Sequence, residues 1–171
     1  MHYKTRLYLN FGLIALAFMF ITILFQLDRE KRYKTEEIRS KLAAYSEMID
    51  AYLLQNCDTI EVTHILPEDL RFTIIDSEGS VIFDNVIGHI EDMSNHANRP
   101  EILSARTKGS GYAIRRSVST QTDYLYYAHR CNTGHYIRLA LPYNVKLSDV
   151  MKQENLIFYG LAVLFIVVLA L

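Results

Sequence analysis

Two adjacent arginines and two adjacent tyrosines are the residues of this chain whose types best suit the binding of an anion. Arg115-Arg116 and Tyr126-Tyr127 lie in neighbouring predicted strands, where they can form a cationic and aromatic surface. A guanidinium presents a planar fork of donors that matches a carboxylate or a phosphate. We therefore expect Arg115, Arg116 and Tyr126 to contribute to a site for a small anionic ligand. The alternative is that the arginines point outward and keep an exposed strand soluble.

A second polar group surrounds Pro100, where a short helix is predicted to begin. Pro suits the first helical position, because its φ is preset and its missing N–H is not needed there. His96 and Arg99 precede Pro100, and Glu101 follows it where the helix dipole favours an anion. We expect His96 and Arg99 to contact a ligand or a second subunit. Alternatively, the group is structural and fixes the loop to the helix through capping and through pairing of Arg99 with a carboxylate.

The other histidines and the glycines indicate neither a catalytic site nor a metal site. His129 and His135 flank one predicted hairpin and could approach each other, but no histidine pair has the helical spacing of metal ligands. The seven glycines are spread along the chain, mostly at predicted turns, and form no phosphate-binding loop. We therefore expect no catalytic residue, no metal ligand and no cofactor within residues 1–171.

Cys57 and Cys131 are the only cysteines. In an exported domain they could form one disulfide, which would close a loop of about 75 residues and contribute about 4 kcal/mol on the chain-entropy model. The alternative is two unpaired, half-buried thiols. A zinc site built from thiolates is not expected, because the two cysteines are far apart in sequence.

Two apolar segments enclose the polar part of the chain. Residues 7–27 are 21 residues without a charge, and residues 156–171 are 16. A helix of about 20 apolar residues crosses a bilayer. We predict a cytoplasmic N-terminus at 1–6, a transmembrane helix at 7–27, and a second, truncated transmembrane helix at 156–171. A cleaved signal peptide is a poorer explanation, because the first segment exceeds the roughly 7–15 apolar residues of such peptides and lacks a small-residue cleavage site.

Residues 28–155, between the two segments, are enough for one domain. The net charge of the chain is −1, from 18 basic and 19 acidic residues. Without a basic stripe, no nucleic-acid partner is expected. The domain lies outside the cytoplasm if the N-terminus is inside, although the Lys and Arg residues around the first segment are more numerous on the domain side.

Hydrophobic periodicity predicts an α+β domain. Apolar residues at steps of three and four from Ile38 to Tyr52 predict a helix over about 28–55, continuous with the first apolar segment. Its apolar stripe could pack on the sheet of its own domain or on the same helix of a second copy. Alternating segments predict five strands, the last three as an antiparallel meander: 70–75, 81–84, 112–119, 124–130 and 136–141. The expected inward residues of the meander are Ile114, Leu125, Ile137, Leu139 and Leu141.

Four short motifs follow one another within residues 70–142. The first is Phe72–Val81, which contains a D-x-x-G turn and is followed by Asp84. The second is Met93–Glu101, with the pattern M-x-N-H-x-x-R-P-E. The last two are Leu125–Ala128, with the pattern L-Y-x-A, and Arg138–Pro142, with the pattern R-L-A-x-P. In this order they resemble the extracytoplasmic PAS-like sensor domain of membrane histidine kinases of the phosphate-regulon and cell-wall type. The resemblance implies a PAS-like five-stranded antiparallel sheet with flanking helices between two transmembrane helices.

The resemblance also implies a function. Such kinases are homodimers of the bacterial inner membrane that phosphorylate themselves on histidine, using ATP and Mg²⁺, and pass the phosphate to a response regulator. The HAMP linker, phosphoacceptor helix and ATP-binding domain of the family are not within residues 1–171, so this chain is expected to sense and transmit a stimulus, either a small anionic ligand or a partner protein. The alternatives are the sensor half of a chemoreceptor or cyclic-dinucleotide enzyme, and a small complete membrane-anchored binding or scaffold protein.

Overall fold

The computed structural model of the protein describes residues 3–56, 59–117, 121–144 and 160. Its helices are α1 (Tyr3–Asn56), α2 (Thr59–Ile65) and α3 (Pro100–Lys108), with a single 3₁₀ turn at Ile90–Asp92. Its strands are β1 (Arg71–Ile75), β2 (Val81–Asp84), β3 (Ser110–Arg116), β4 (Asp123–Arg130) and β5 (Tyr136–Pro142). Cys57 and the second predicted transmembrane helix, Gly160 excepted, lie outside the described residues.

The five strands form one antiparallel sheet in the order β2-β1-β5-β4-β3. The predicted α+β class, the hairpin of β1 with β2 and the meander of β3 to β5 are therefore confirmed. The sheet is completed by pairing of β1 with β5, which joins the hairpin to the meander. This pairing places β5 in the centre of the sheet.

The helix α1 runs without interruption through the predicted membrane segment and the predicted helix 28–55. Among the described residues it is the one helix long and apolar enough to cross a membrane, with a mean hydropathy of 2.2 in its most apolar stretch. Thirteen large apolar side chains between Leu7 and Phe25 are 37–70 % exposed. Exposure of this many apolar groups in water would be unfavourable, so the segment suits an apolar environment.

Residues 35–144 form a compact unit, whose main core lies between α1 and one face of the sheet. The α1 residues Ile38, Leu42 and Ile49 are buried there. Side chains of a strand alternate between the two faces, so the opposing core residues recur at every second position. They are Phe72, Leu125, Ile137 and Leu139.

One expected inward residue of the meander lies on the core face but is not buried. Leu125, Ile137 and Leu139 are buried and Leu141 packs against the core, but Ile114 is 42 % exposed. Ile114 belongs to β3, the last strand of the sheet, where a side chain has a neighbouring strand on one side only.

The helix α3 covers the opposite face of the sheet. It begins at Pro100, as predicted, and ends before Gly109, whose φ of +82° is the left-handed conformation that glycine adopts readily at a helix end. At Gly111 a Cβ atom would lie 2.4 Å from Ser104 Cβ and 2.5 Å from Glu101 O. The absence of a side chain at Gly111 therefore allows α3 to lie directly on β3.

Candidate functional site

The sheet face under α3 carries a group of largely buried polar side chains beside its apolar contacts. Cross-strand neighbours point to the same side of a sheet, and the pairing of Asp84 with Thr73 and of Thr73 with Arg138 places these three in one row. Other strands, α3 and the loop before it add the remaining members. We call this group the polar cluster: Arg71, Thr73, Asp84, His96, Glu101, Arg115, Tyr126 and Arg138.

Glu101 is the carboxylate at the α3 side of the polar cluster, and it is fully buried. Its Oε1 accepts a hydrogen bond from Arg115 Nη2 at 3.3 Å and lies 4.0 Å from Arg138 Nη1. The guanidinium carbons of Arg115 and Arg138 lie 3.8 and 5.3 Å from the centre of the Tyr126 ring. One carboxylate and one aromatic face thus stabilise two guanidinium groups, the ring through cation–π attraction.

Asp84 is the second carboxylate of the polar cluster. Its Oδ2 accepts hydrogen bonds from Arg71 Nε at 3.1 Å and from Thr73 Oγ1 at 2.9 Å. Thr73 Oγ1 in turn accepts one from Arg138 Nη2 at 3.1 Å. This chain of contacts connects β2, β1 and the central strand β5 across the covered face.

His96 contacts the polar cluster from the loop before α3. Its Nδ1 lies 3.3 Å from Arg138 Nη1. A guanidinium can only donate, so Nδ1 accepts and the ring proton lies on Nε2. Burial, followed by the nearby charge of Arg138, lowers the pKa of His96 to about 3, so the imidazole is neutral at pH 7. Burial also lowers the pKa of Arg138, to about 10, and Arg138 remains charged at pH 7.

The loop that carries His96 is fixed on the turn between β1 and β2. The His96 N–H donates to Gly79 O at 2.7 Å. Asn95 Nδ2 donates to Glu78 O at 3.0 Å, and Asn95 Oδ1 accepts from the Ala97 N–H at 2.8 Å. The D-x-x-G turn and the M-x-N-H segment are therefore two parts of one structure that positions the imidazole.

The structure brings together three of the five residues that the sequence suggested for a ligand site. His96, Arg115 and Tyr126 belong to the polar cluster. Arg116 lies outside it, with an exposed side chain whose Nε donates to Gln121 O at 3.0 Å. The outward alternative is thus correct for Arg116, whereas Arg115 contacts Glu101.

The side chain of Arg99 contacts its own loop. Arg99 occupies the N-cap position of α3, but its side chain makes no capping hydrogen bond. Its Nη2 lies 3.5 Å from Ser94 Oγ instead, and its backbone N–H donates to His96 O. The structure therefore shows no capping hydrogen bond from the Arg99 side chain, and contact of Arg99 with a ligand or a second subunit stays a prediction.

Sequence reasoning did not assign Arg71, Thr73, Asp84, Glu101 or Arg138 to a site. Asp84, Glu101 and Arg138 stand within or beside the motifs of the family resemblance, which was the available signal. The alternation of Arg71 and Thr73 with Phe72 and Ile74 predicts one polar face of β1. The pattern does not reveal that α3 and its loop cover this face.

The charges of the polar cluster do not balance. Arg71, Arg115 and Arg138 oppose the two carboxylates Asp84 and Glu101, and His96 is neutral. Buried polar atoms nearly always have a hydrogen-bond partner. Among the described residues, Glu101 Oε2 and Arg115 Nε are buried and have none. A partner with an acceptor for Arg115 Nε and a donor for Glu101 Oε2 would satisfy both atoms, and a single water molecule has both groups.

Metal coordination finds no support in the described part of the chain, where no three His, Cys, Asp or Glu side chains group as metal ligands would. His129 Nε2 lies 3.6 Å from Asp50 Oδ2 on α1. This contact joins β4 to the helix.

Cys131 is a free, buried thiol in the structure, and its pairing with Cys57 stays a prediction because Cys57 lies outside the described residues. Burial, together with a hydrogen bond to Asp50, raises the pKa of the Cys131 thiol to about 12. The thiolate is the reactive form of cysteine, so the folded protein is expected to protect Cys131 from alkylation.

In a Cys57→Ser variant of the full chain, iodoacetamide at pH 8 should therefore modify Cys131 about a hundred-fold more slowly before unfolding than after it. The rates are measured by mass spectrometry, with Glu78→Cys as an exposed thiol on the same chain. Equal rates at residues 78 and 131 would contradict the prediction.

The lowered pKa of His96 predicts a dependence of stability on pH. In the unfolded chain the imidazole binds a proton near pH 6.5, whereas in the folded chain its pKa is about 3. The contribution of the neutral His96 to the free energy of unfolding is therefore fully present above pH 6.5. It is lost as the pH falls toward 3, by about 1.4 kcal/mol per pH unit. The measurement is the free energy of unfolding between pH 7.5 and 5.

His96→Asn keeps an acceptor near Nδ1 and cannot bind the proton, so its stability should fall less steeply than that of the wild type over this pH range. His135→Asn, at an exposed histidine, should keep the wild-type slope. Indistinguishable slopes for the wild type and His96→Asn would show that His96 does not determine the effect.

No protein-family model matches the chain, and no curated protein matches it. Among solved structures, the chain is similar to the Bacillus subtilis YkuI protein, which has an EAL domain and was crystallised in complex with its substrate c-di-GMP and calcium. The TM-score is 0.52 and the identity 13 %, over 69 % of this chain and 35 % of that one. The chain thus spans about a third of the length of that protein, and the likeness is one of fold.

Proposed function

We propose that this chain is the sensing and signal-transmitting input part of a bacterial two-component sensor histidine kinase. The domain of residues 28–155 would be extracytoplasmic and PAS-like, between two helices of the inner membrane. A homodimer would pass the signal to a kinase part that acts on a response regulator. The proposal rests on the family resemblance of four motifs and on one structural observation, the continuity of α1.

That continuity joins the candidate membrane segment to the domain core in a single helix. The part of α1 near the N-terminus exposes apolar side chains such as Leu13, 70 % exposed. Further along the same helix, Leu42 and Ile49 are fully buried in the core of residues 35–144. A rearrangement of that core would therefore act directly on the helix that enters the membrane. A stimulus can drive such a change only if it binds the two arrangements with different affinities.

The polar cluster is our candidate for the place where a small anionic stimulus binds. Its excess of one guanidinium charge and its unpartnered Arg115 Nε support this proposal. Binding to the folded state raises stability, by about 2.7 kcal/mol at a ligand concentration of 100 Kd.

The test is the unfolding temperature of the full chain in detergent, measured with inorganic phosphate and with acetate as probes. Arg115→Gln should abolish the increase, and Arg116→Gln, one residue away and outside the polar cluster, should retain it. If both variants retain the increase in unfolding temperature, the anion binds outside the polar cluster. If neither phosphate nor acetate raises the unfolding temperature of the wild type, support for an anionic stimulus of these two kinds is removed.

The membrane topology is tested by labelling single cysteines in a chain that lacks Cys57 and Cys131. A membrane-impermeant maleimide should label Glu78→Cys, at the exposed β1–β2 turn, in intact spheroplasts. It should label Lys4→Cys only after permeabilisation. The reverse pattern would place the domain in the cytoplasm and contradict the proposal.

The second candidate is the sensor part of a cyclic-dinucleotide enzyme. It is supported by the fold likeness to a protein that carries an EAL domain. The reading frame after codon 171 distinguishes the candidates. A phosphoacceptor helix followed by an ATP-binding domain would support the kinase, and an EAL domain would support the second candidate. A stop codon would favour a membrane-anchored binding protein instead.

A further inference from the structure

The strand β3 presents an open hydrogen-bonding edge. It is the last strand of the sheet in the described part of the chain, paired with β4 on one side. Gly109 O accepts from the Arg130 N–H, and the Ser117 N–H donates to Thr122 O. Since antiparallel bonding alternates, the odd-numbered residues of β3 bond to β4. The N–H and C=O groups of Tyr112 and Ile114 therefore point away from the sheet.

The side chains at this edge are accessible as well. Tyr112 is 45 % exposed and Ile114 is 42 % exposed, and both lie on the sheet face that α1 covers. A groove of about 400 Å³ runs along the start of β3, between α1 and α3. Ser110, Gly111 and Tyr112 line the groove from the strand. An added strand would find free backbone groups and room beside Tyr112.

The charge around this edge is positive. From Ile102 to Asp123 the sequence contains four basic residues and one acidic residue, Asp123, which lies opposite Arg116 in the pairing of β3 with β4. Arg115 pairs with Glu101 in the polar cluster, but Arg106, Lys108 and Arg116 have exposed side chains. On α1, Arg39 lies over the Tyr112 ring and pairs with Glu36. The edge therefore favours an acidic partner.

We infer that β3 is a docking edge for an extended acidic segment of a partner protein, which adds to the sheet as a sixth strand. Backbone groups of Tyr112 and Ile114 supply the hydrogen bonds, as in other cases of strand addition. Lys108 and Arg116 select acidic side chains. A second copy of the chain fits less well, because antiparallel pairing of β3 with itself would bring the Lys108 and Arg116 charges of the two copies close together.

The experiment uses the full chain in a nonionic detergent and fluorescence anisotropy of three labelled eight-residue peptides. The first peptide alternates valine with glutamate, and the second alternates valine with lysine. The third is the valine–glutamate peptide with N-methyl groups on its six central residues, which keeps the charge and removes the backbone donors. We expect the first peptide to bind at least about tenfold more tightly than each of the other two.

Variants of the chain test the two parts of the recognition separately. Ile114→Pro removes one outward N–H at a position where an edge strand tolerates proline, and should weaken binding of the valine–glutamate peptide about tenfold. Lys108→Glu with Arg116→Glu should reverse the preference between glutamate and lysine peptides. Lys41→Glu, an exposed charge on α1 away from this edge, should leave binding unchanged. Circular dichroism confirms the fold of each variant.

Three outcomes would overturn the inference. The first is failure of the valine–glutamate peptide to bind. The second is equally tight binding of the N-methylated peptide, which would indicate attraction by charge alone. In the third outcome the chain dimerises in light scattering and Ile114→Pro makes it monomeric, which would assign the edge to a second copy. The N-methylated peptide keeps the test decisive even if Ile114→Pro does not fold.

Discussion

Replacement of Glu101 by alanine is expected to destabilise the unit of residues 35–144 by about 3–5 kcal/mol. The carboxylate is fully buried and faces the guanidinium groups of Arg115 and Arg138. Its removal leaves the buried guanidinium of Arg138 and the partly buried guanidinium of Arg115 opposed by the Tyr126 ring at this end of the polar cluster. A buried charge without a partner costs far more than the loss of an exposed ion pair.

The measurement is the unfolding temperature of the full chain in detergent. Unfolding is monitored by the near-ultraviolet circular dichroism of its tyrosines. A loss of this size lowers the transition by about 10 °C or more. Glu101→Gln keeps an acceptor for Arg115 and should cost less than Glu101→Ala. Glu78→Ala, which removes an exposed carboxylate, should shift the transition by less than 2 °C or so. A Glu101→Ala variant as stable as Glu78→Ala would show that the two guanidinium groups are satisfied without Glu101.

Replacement of Gly79 by alanine is the second change with a large expected effect, of about 3 kcal/mol. Gly79 has a φ of +95°, which strains any residue with a side chain. A Cβ atom there would also lie 2.4 Å from Ala97 N and 2.6 Å from Asn95 Oδ1. The loop would have to move away, and the hydrogen bond from the His96 N–H to Gly79 O would be lost.

Substitutions at two other glycines separate the cost of backbone strain at positive φ from the cost of steric overlap of the new Cβ atom. Gly134 has a φ of +88° with no atom within 4 Å of a Cβ position, so Gly134→Ala should cost the strain alone, about 1–2 kcal/mol. Gly111→Ala should cost about 1–3 kcal/mol from contact with α3. The free energies of unfolding of the three variants are compared in the same detergent. Equal losses for Gly79→Ala and Gly134→Ala would contradict the role of Gly79 in holding the His96 loop.

Much of the fold could be predicted because its signals are local. The charge-free run of residues 7–27 and the apolar spacing from Ile38 to Tyr52 predict one long helix, since a helix depends on side chains three and four positions apart. Alternation predicts the five strands, and Pro100 marks the first residue of α3. The structure confirms each of these elements, with ends that coincide or shift by up to three residues, and residues 118–119 of the third predicted strand lie outside the described residues.

The candidate site could be predicted only in part. Residue types identified His96, Arg115 and Tyr126, but the same reasoning treated Arg115 and its neighbour Arg116 alike. Their separation depends on the alternation of β3: Arg115 lies on the face that α3 covers, and Arg116 does not. One residue of register decides which of the two becomes part of the polar cluster.

The tertiary structure alone decided which distant residues meet. Thr73 and Arg138 are 65 residues apart and become hydrogen-bonded neighbours because β1 pairs with β5. No local pattern specifies that pairing, because it is selected by the packing of both sheet faces at once. The sequence by itself determined α1, α3, the strands and the apolar segment, but it did not predict α2. The buried meeting of three arginines with two carboxylates followed from strand order and register, which depend on the whole domain.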